Sequence, residues 1–461
     1  MRIPLLLRRL PLVIVAALAA ACHDTPTAGD PLAGGWGTGA NRLLSDQEMA
    51  TPEDPAAAPA DAAWVAWVKR NHHPVRSLTS TQFDDLRFLA PLLAGKRIVQ
   101  LGESGHGVAE FEQAKVRLIR YLHEELGYDV IAFESGLFDC WSANDRIGTL
   151  GSTTLMRHCI FGVWHTSEVL PLFDYIRQTR NTAHPLLLAG IDIQASTSTE
   201  NVRAPAFLEG VIERLDPAYA ARIRQLDAAF VASALSFANS DEGARAIAAY
   251  DSLTTWFDAH RAELEATYGA DPTPARVARQ LAFSRSRFVR HLRATSSEEL
   301  FTIRDPGMAD NLDALLDRIH PGKKVIVWAH NAHIQHDRGH SYENGDPSTG
   351  VATMGTWVSQ RHQAELYTVG LFMYRGSAAD NVHRVYAVTP AAANSLEATF
   401  YPVRKKQFFV DLSQAGREHG TEWIRQMTVS KDWGVTPLLQ VIGNQYHGIL
   451  FIDTTTPPHY L

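Results

Sequence analysis

The amino-acid sequence predicts an α/β fold, in which a central, largely parallel sheet is flanked by helices and a helical insertion acts as a lid or subdomain. Two observations lead to this prediction. The stretch Arg97 to Glu134 contains an apolar run, a helical pattern and a second β-branched and aromatic run, which indicate a strand, a helix and a strand. Further short apolar runs follow in the chain, and residues 196–294 have helical periodicity without strand signals.

Polar residues follow the two strands of this first unit, which are predicted at Ile98 to Leu101 and Tyr128 to Phe133. The connection between such strands is right-handed and makes them parallel, so Glu103, His106 and Glu134 are expected at the carboxyl ends of neighbouring strands. Open α/β sheets bind their ligands at that edge. These three residues are therefore the first candidates for a functional site.

The helix between these strands, Val108 to Leu126, carries a lysine on its buried face. Apolar residues form an inward stripe, and Lys115 occupies the vacant place in the middle of it. An unpaired buried ammonium group is costly, so Lys115 needs a carboxylate partner or a ligand unless it extends to the helix edge. Glu103 and Glu134 are the candidate partners.

Two later strands also end in polar residues. The apolar run Pro185 to Ile193 places Asp192 at a third strand end, where it is a candidate for substrate binding or for a supporting hydrogen bond. The strand Lys324 to Trp328 is followed by His330 and His333. Further strands are predicted at residues 366–374, 383–388, 408–412 and 448–453.

The N-terminus has the features of an export signal. A basic start is followed by the apolar run Pro11 to Ala20 and by small residues before Cys22. This ending is similar to a bacterial lipobox, in which the cysteine is acylated, and ordinary cleavage at the same small residues is the alternative. We therefore expect an exported protein of the cell envelope or periplasm that contacts the membrane only through a lipid on Cys22.

Composition divides the rest of the chain. After the signal at residues 1–22, residues 23–60 are rich in Ala, Pro, Gly, Asp and Thr and are predicted to be a disordered tether, and residues 61–461 to be the catalytic domain. The net charge of −7, with no long basic run after the N-terminus, argues against a nucleic-acid partner. Cys140 and Cys159 form either a disulfide or two free thiols.

Three motifs occur in order along the chain: LGESGHGVAEFEQAKVRLIRYL, GYDVIAFE and WAHNAHI. Together they resemble the erythromycin esterase family, and the similarity runs from about residue 83 to the C-terminus. The resemblance implies a role for six residues: a general base (His106), two supporting acids (Glu103 and Glu134), a basic helix residue (Lys115) and a downstream pair (His330 and His333).

These residues permit two kinds of hydrolysis. In the metal-free kind, which the resemblance implies, a histidine held by a carboxylate takes a proton from water while the water attacks an ester or macrolactone carbonyl. The other histidines or Lys115 then stabilise the oxyanion, and no cofactor is required. In the other kind, the same residues bind zinc, although His330 and His333 do not form a His-Glu-x-x-His motif. An envelope lipoprotein that binds a ligand without turnover is the non-enzymatic alternative.

The glycine-rich turn differs from that of macrolide-inactivating family members. Those members tend to carry an alanine before the first histidine, a phenylalanine after it and an arginine on the helix, whereas this chain has Gly105, Gly107 and Lys115. The expected substrate is therefore a small-molecule ester or lactone. Hydrolysis of a macrolide, and with it antibiotic resistance, is a narrower expectation.

Overall fold

The computed structural model describes residues 42–461 except 239, 344, 348 and 349. Its strands, numbered in chain order, are β1 (His72–Pro74), β2 (Ile98–Leu101), β3 (Val130–Gly136), β4 (Leu187–Asp192), β5 (Val325–Trp328), β6 (Tyr342–Glu343), β7 (Asp346–Pro347), β8 (Leu366–Ala379), β9 (Val385–Ala387), β10 (Gln407–Asp411), β11 (Thr428–Asp432), β12 (Thr436–Gln440) and β13 (Gly448–Thr455). Within the described residues, nine strands form one sheet in the order β1-β10-β13-β8-β2-β5-β3-β4, with β9 paired to β8. The other four form a small sheet in the order β11-β12-β6-β7.

The central sheet is largely parallel, which confirms the predicted fold class. Every pair from β13 through β8, β2, β5 and β3 to β4 is parallel, whereas β1 and β10 at one edge, and β9, pair antiparallel. Alternate side chains of β2, β3 and β5 enter two separate apolar clusters. Burial on both faces explains why these strands are continuously apolar in sequence.

Helices pack around this sheet and separate most of its strands. In chain order the α-helices are Asp46–Met49, Ala62–Asn71, Leu89–Leu92, Ala109–Leu126, Leu137–Asp145, Ser152–Cys159, Leu170–Thr179, Ser198–Asn201, Ala204–Ile212, Pro217–Ala232, Asp241–Ala259, Arg261–Ala266, Thr273–Leu292, Ser297–Ala314, Asn331–Ile334, Met354–His362, Leu396–Phe400, Glu422–Arg425 and Ile442–Gln445. The stripe predicted on Ala109–Leu126 is buried, including Lys115. That helix ends at Gly127, which adopts the left-handed conformation that glycine favours.

The strands β2 and β3 are not neighbours, contrary to the sequence-based expectation, because β5 lies between them and pairs with both. The helix Ala109–Leu126 therefore connects β2 to a strand two positions away in the sheet. The position between them is occupied by β5, which comes later in the chain. The pairing register aligns Trp328 with both Leu101 and Phe133. The carboxyl ends of these three strands consequently still lie side by side.

The helical block between β4 and β5 extends further than its periodicity predicts. The expected end is residue 294, whereas the helix Ser297–Ala314 continues the block and leads into a π-helical turn that ends at Ile319. Pro306 and Gly307 obscure this helix in the sequence, because both are poor helix formers. A Cβ on Gly307 would lie 2.6 Å from Ile193 Cγ2, so the helix packs closely against the chain just after β4.

Residues 42–60 belong to the folded part of the protein, so the predicted tether is wrong for this segment. The short helix Asp46–Met49 begins with a capping box, and Met49 is fully buried. The next residue, Ala50, forms a β-bridge with Lys405. One buried apolar side chain and these backbone contacts attach residues 42–60 to the rest of the fold, although the composition of this segment alone indicates a tether.

Cys140 and Cys159 form a disulfide, which decides between the two alternatives that the sequence leaves open. The bond joins the helix Leu137–Asp145, directly after β3, to the helix Ser152–Cys159. The predicted export signal and the lipidation site Cys22 lie outside the described residues. Within the described part of the chain, no helix is long and apolar enough to cross a membrane.

Candidate active site

The turn after β2 carries Glu103 to the carboxyl edge of the sheet. The backbone N–H of Asn331 donates a hydrogen bond of 2.8 Å to the carbonyl of Glu103, which connects this turn to the segment after β5. A Cβ on Gly102 would lie 2.0 Å from Asn331 Oδ1, and a Cβ on Gly107 would lie 2.3 Å from the carbonyl oxygen of Ala379. The turn is therefore rich in glycine because neighbouring chain segments approach it closely.

Glu103 and His106 form a hydrogen-bonded pair at this turn. His106 Nδ1 lies 2.6 Å from Glu103 Oε1, and Trp164 Nε1 donates to the same oxygen at 2.9 Å. Because a carboxylate accepts at Nδ1, we assign the imidazole hydrogen to Nδ1 and a lone pair to Nε2. The His106 side chain is 12% exposed, and within the described residues its Nε2 has no hydrogen-bond partner. This nitrogen is available to a molecule in the cleft.

Lys115 pairs with Glu103, one of the two partners that the sequence suggests. Its ammonium group binds Glu103 Oε2 and lies 3.9 Å from the centre of the Trp328 ring. Burial lowers the pKa of Lys115 to about 8, although Glu103 favours the charged form. Lys115 therefore holds the carboxylate that holds His106, and the substrate-binding role assigned to it stays a prediction.

The carboxylate of Glu134 is occupied by three groups. Its Oε1 accepts a hydrogen bond from Arg304 Nη2 at 2.8 Å and lies 3.2 Å from His333 Nε2. Its Oε2 accepts from the backbone N–H of His330 at 2.9 Å. Glu134 thus supports the downstream histidines directly, whereas the hydrogen-bonded acid of His106 is Glu103.

Glu134, His330 and His333 belong to a second cluster of side chains, separate from the Glu103–His106 pair. Two residues that the sequence analysis missed complete this second cluster. Arg304 and Asp305 come from the helix Ser297–Ala314, which ends the helical block. Arg304 Nε donates to Asp192 Oδ2 at 3.0 Å, and His333 Nδ1 lies 2.9 Å from Asp305 Oδ1. An Arg-Asp pair directly before Pro-Gly inside a helical pattern is the signal that could have indicated them. Asp192 is buried and pairs with Arg304. Its predicted role in substrate binding is not tested by this contact and stays a prediction.

The charges of this second cluster are fixed by one another. Burial opposes the charged form of His333, but Asp305 and Glu134 outweigh burial and raise its pKa to about 10. Burial alone would raise the pKa of Glu134, but His333 and Arg304 hold it well below the usual range. Arg304 Nη1 lies 3.1 Å from His333 Nε2, a contact between two cations that the surrounding carboxylates offset.

His330 is neutral and offers one N–H group to the cleft. Burial, with the neighbouring His106, lowers the pKa of His330 well below its usual value. The backbone N–H of Ala332 donates to His330 Nδ1 at 3.1 Å, so we assign the imidazole hydrogen to Nε2. That nitrogen is buried and has no hydrogen-bond partner in the described part of the chain, since Asp432 Oδ1 is 3.8 Å away. The rings of His106 and His330 have their centroids 5.0 Å apart.

The hairpin between β11 and β12 closes the cleft on the side of these two imidazoles. The Trp433 ring lies edge-on to His106 and stacks on His330, with centroid distances of 5.2 Å and 5.1 Å. Trp433 has a φ of 53°, a left-handed conformation that costs a residue with a side chain roughly 1–3 kcal/mol. Its carbonyl oxygen accepts a hydrogen bond of 2.8 Å from the hydroxyl of Tyr386. The sequence analysis predicted neither strand of this hairpin.

The donor atoms of these side chains do not fit the zinc alternative. In the part of the chain that the structure describes, no group of three or more His, Cys, Asp or Glu side chains could hold a metal ion. Both nitrogens of His333 contact carboxylates, and His330 Nδ1 accepts a backbone hydrogen bond. His106 Nδ1 is paired with Glu103. The arrangement instead fits proton transfer at His106 and hydrogen bonding at His330.

A family model described as erythromycin esterase matches residues 123–455. The Bacillus subtilis protein YbfO, named as a proposed hydrolase, is 31% identical over 420 residues, which cover 87% of this chain and 93% of that protein. This chain belongs to the erythromycin esterase family. Membership of this family indicates a hydrolase.

Two solved structures share the fold of this family member. A crystal structure of a Bacillus cereus protein has a TM-score of 0.74 at 18% identity and covers 86% of this chain and 98% of its own. A mutant erythromycin esterase in an open conformation has a TM-score of 0.62 at 19% identity, with 82% of this chain and 95% of that chain covered. At these identities the likeness concerns the fold.

The structure brings the five predicted catalytic residues together at the carboxyl edge of the sheet. They form two groups: the Glu103–His106 pair on the turn after β2, and the cluster of Glu134, His330 and His333 at the ends of β3 and β5. The rings of His106 and His330 connect the two groups. The individual catalytic roles stay predictions, and the following proposal is built on this geometry.

Proposed function

We propose that this protein is a hydrolase that cleaves a carboxylic ester or lactone with water activated by His106. The observation that carries the proposal is a pair of nitrogens on neighbouring rings that have no hydrogen-bond partner among the described residues, a lone pair on His106 Nε2 and an N–H on His330 Nε2. Their rings are 5.0 Å apart between centroids. A base and a donor at this spacing can act on the attacking water and on the carbonyl oxygen of one substrate.

The reaction then has two proton transfers. In the first, water attacks the carbonyl carbon while His106 Nε2 takes one of its protons, and the carbonyl oxygen becomes an oxyanion bound by His330 Nε2–H. In the second, the tetrahedral intermediate breaks the bond to the alkoxide, and His106 returns the proton to that leaving oxygen. The products are a carboxylic acid and an alcohol, or a hydroxy acid from a lactone.

Glu103 is suited to support His106 in both steps. A carboxylate at Nδ1 fixes the imidazole orientation and stabilises the imidazolium that forms. Trp164 and Lys115 also bind Glu103, so the carboxylate itself is held in one position. A side chain fixed by several partners does not need to reorganise during the reaction, which favours catalysis.

The second cluster is suited to position His330. Glu134 accepts the backbone N–H of His330, and the Arg304 guanidinium joins Glu134 to Asp192. The positive charge of His333 lies between Glu134 and Asp305. This arrangement supports a role in orientation for His333, in contrast to the proton transfer proposed for His106.

The proposed reaction sets no identity for the leaving alcohol or the acyl group, and a macrolide is one candidate substrate. The turn offers a reason to expect a different substrate: a phenylalanine at position 107 would clash with the carbonyl of Ala379, since even a Cβ there lies 2.3 Å from that oxygen. At position 105 a Cβ would lie 3.5 Å from Trp433 Cε3, an ordinary contact. The shape of the cleft beside Gly107 is therefore expected to differ from that of members with the bulkier turn.

A substrate screen tests this proposal. The purified protein is incubated with simple methyl esters, lactones and macrolides, and products are analysed by mass spectrometry for the gain of one water. We expect hydrolysis of at least one small ester or lactone, with loss of that activity in His106→Ala. Ligand binding without any turnover across the panel would favour the alternative of a non-catalytic envelope lipoprotein.

We also propose that the protein is exported and held at the membrane through a lipid on Cys22. The sequence of residues 1–22 supports export, and the Cys140–Cys159 disulfide is consistent with an oxidising compartment. Replacing Cys22 with alanine should release the protein from the membrane fraction into the soluble envelope fraction. Wild-type protein without an acyl group by mass spectrometry would contradict this proposal.

A further inference from the structure

The tip of the β11–β12 hairpin presents an acid to the cleft that the proposed hydrolysis does not use. Asp432 is buried; its carboxyl group accepts the backbone N–H of Trp433, and no side chain among the described residues donates a hydrogen bond to it. Its Oδ1 lies 3.8 Å from His330 Nε2, a buried N–H that has no hydrogen-bond partner among the described residues. Burial raises the pKa of Asp432 to about 6, which leaves the carboxylate form in excess at neutral pH. A donor without a partner thus lies beside a carboxylate that can accept a further hydrogen bond.

A buried donor without a partner beside a carboxylate indicates that a ligand supplies the missing hydrogen bond. The distance of 3.8 Å is too long for a direct hydrogen bond between His330 and Asp432, but oxygen atoms of one small molecule can reach both groups. The N–H of His330 requires an acceptor, and the carboxylate of Asp432 requires a donor. A carbonyl oxygen and a hydroxyl group on the same substrate satisfy these two requirements.

The neighbouring Trp433 adds a flat apolar surface to the same place. Its indole stacks on His330 with an interplanar angle of 25° and meets His106 at 86°. The ring holds this position although its backbone has a positive φ of 53°, and the Tyr386 hydroxyl fixes its carbonyl. A strained residue that is held next to unsatisfied polar groups is typical of a functional site. The indole face would pack against the carbon atoms that carry the two oxygens.

We infer that Asp432 and Trp433 form a subsite for a hydroxyl group on the acyl part of the substrate, so that the enzyme acts on esters or lactones of hydroxy acids. His330 Nε2–H binds the carbonyl oxygen, and the substrate hydroxyl donates to the Asp432 carboxylate. This inference rests on the proposed function, because it uses the position of the carbonyl at His330.

The subsite predicts discrimination between a hydroxylated ligand and its deoxy analogue. A hydrogen bond to a charged group contributes about ten- to a hundredfold in affinity. A deoxy analogue forfeits this bond and leaves the Asp432 carboxylate with only the backbone N–H of Trp433, so selection against it is stronger than its smaller size would give. The alcohol part of the ester has no contact with this subsite. It should therefore not affect the ratio of the affinities for the hydroxylated ligand and its deoxy analogue.

The test compares lactamide with propionamide, which differ by one hydroxyl group beside the carbonyl. Dissociation constants are measured by ligand-observed NMR with the full-length protein, because binding of these amides does not depend on turnover. Methyl lactate and methyl propionate are compared in parallel as substrates. The variants are Asp432→Ala, which removes the acceptor, Asp432→Asn, which keeps a neutral acceptor, and Asp380→Ala. Asp380 serves as the control because it is an acid at the turn of the adjacent β8–β9 hairpin, where it binds Arg384.

We expect wild type to bind lactamide about tenfold or more tightly than propionamide. This ratio should fall to near one in Asp432→Ala, take an intermediate value in Asp432→Asn and remain unchanged in Asp380→Ala. Equal binding of the two amides by wild type, or an equal loss for both amides in the Asp432 variants, would overturn the subsite. Selective binding of lactamide by a protein that hydrolyses no ester or lactone of the substrate screen would support the subsite and contradict the proposed hydrolysis.

Discussion

Arg304 lies against Asp192, with Nε 3.0 Å from Oδ2, and this contact joins the helical block to the end of β4. The same guanidinium donates to Glu134 at the end of β3. The active-site cluster is therefore assembled only when the last helix of the block is in place. The same helix also contributes Asp305, which lies 2.9 Å from His333 Nδ1, so the block takes part in the cluster through two side chains.

Replacing Arg304 with methionine should destabilise the protein strongly. The substitution leaves Glu134 and Asp192 buried beside a reduced positive charge, and removal of one partner from a buried ion pair typically costs about 3–5 kcal/mol. The matched control is Arg290→Met, since Arg290 pairs with Asp251 in a partly exposed ion pair worth about 1 kcal/mol or less. Free energies of unfolding from urea denaturation measure both changes. Equal effects of the two substitutions would contradict a structural role for Arg304.

The charge of His333 should make stability depend on pH. Its pKa of about 10 in the folded protein lies above the ordinary value of 6.5, so the stabilisation is fully present below pH 6.5 and is lost as pH rises through 10. We expect the difference in unfolding free energy between wild type and His333→Gln to shrink steadily from pH 6.5 to pH 10. Urea denaturation at several pH values measures this difference. A constant difference over that range would show that His333 is uncharged in the folded protein.

The sequence predicted the parts of the site that depend on local chemistry. The turn with Glu103 and His106, the acid at the end of β3 and the histidines after β5 all follow apolar strands, and strand ends can be located from short-range patterns. Parallel strands bring their carboxyl ends to one edge, so convergence follows without knowledge of the strand order. This explains why the site could be predicted although β5 lies unexpectedly between β2 and β3.

The missed residues depend on contacts between distant parts of the chain. Arg304 and Asp305 lie in a helix whose Pro306 and Gly307 weaken the helical pattern, and only packing against β4 shows that the helix persists. Trp433 lies in a hairpin whose strands show only a weak alternation of apolar and polar residues. Its left-handed turn conformation is one that sequence rules assign to Gly or Asn. Tertiary packing determines both features.

Lys115 and Glu103 should be strongly coupled in stability. Replacing Lys115 with methionine leaves the Glu103 carboxylate without its buried cation, and Glu103→Gln leaves the ammonium unpaired, so each single change should cost about 3–5 kcal/mol. The double variant should be more stable than the sum of the two losses predicts, because neither uncompensated charge remains. Unfolding free energies of the four proteins give the coupling. Additive losses would contradict a direct ion pair.

Chelation should leave hydrolysis unchanged. His106 Nδ1 and both nitrogens of His333 contact carboxylates, His330 Nδ1 accepts a backbone hydrogen bond, and the described residues offer no group that could hold a metal ion. Elemental analysis of the purified protein, with the rate measured before and after treatment with a chelator, tests this expectation. Stoichiometric zinc whose removal abolishes turnover would support the metallohydrolase alternative.

The most direct test of the account is the turnover of His106→Ala on the best ester found in the substrate screen. Loss of a general base typically reduces the rate by about 10²–10⁴-fold, so kcat should fall by this amount. Because His106 is at the partly exposed surface of the cleft, the variant should keep its fold by circular dichroism and its affinity for substrate. An unchanged kcat in a folded His106→Ala protein would contradict the proposed mechanism.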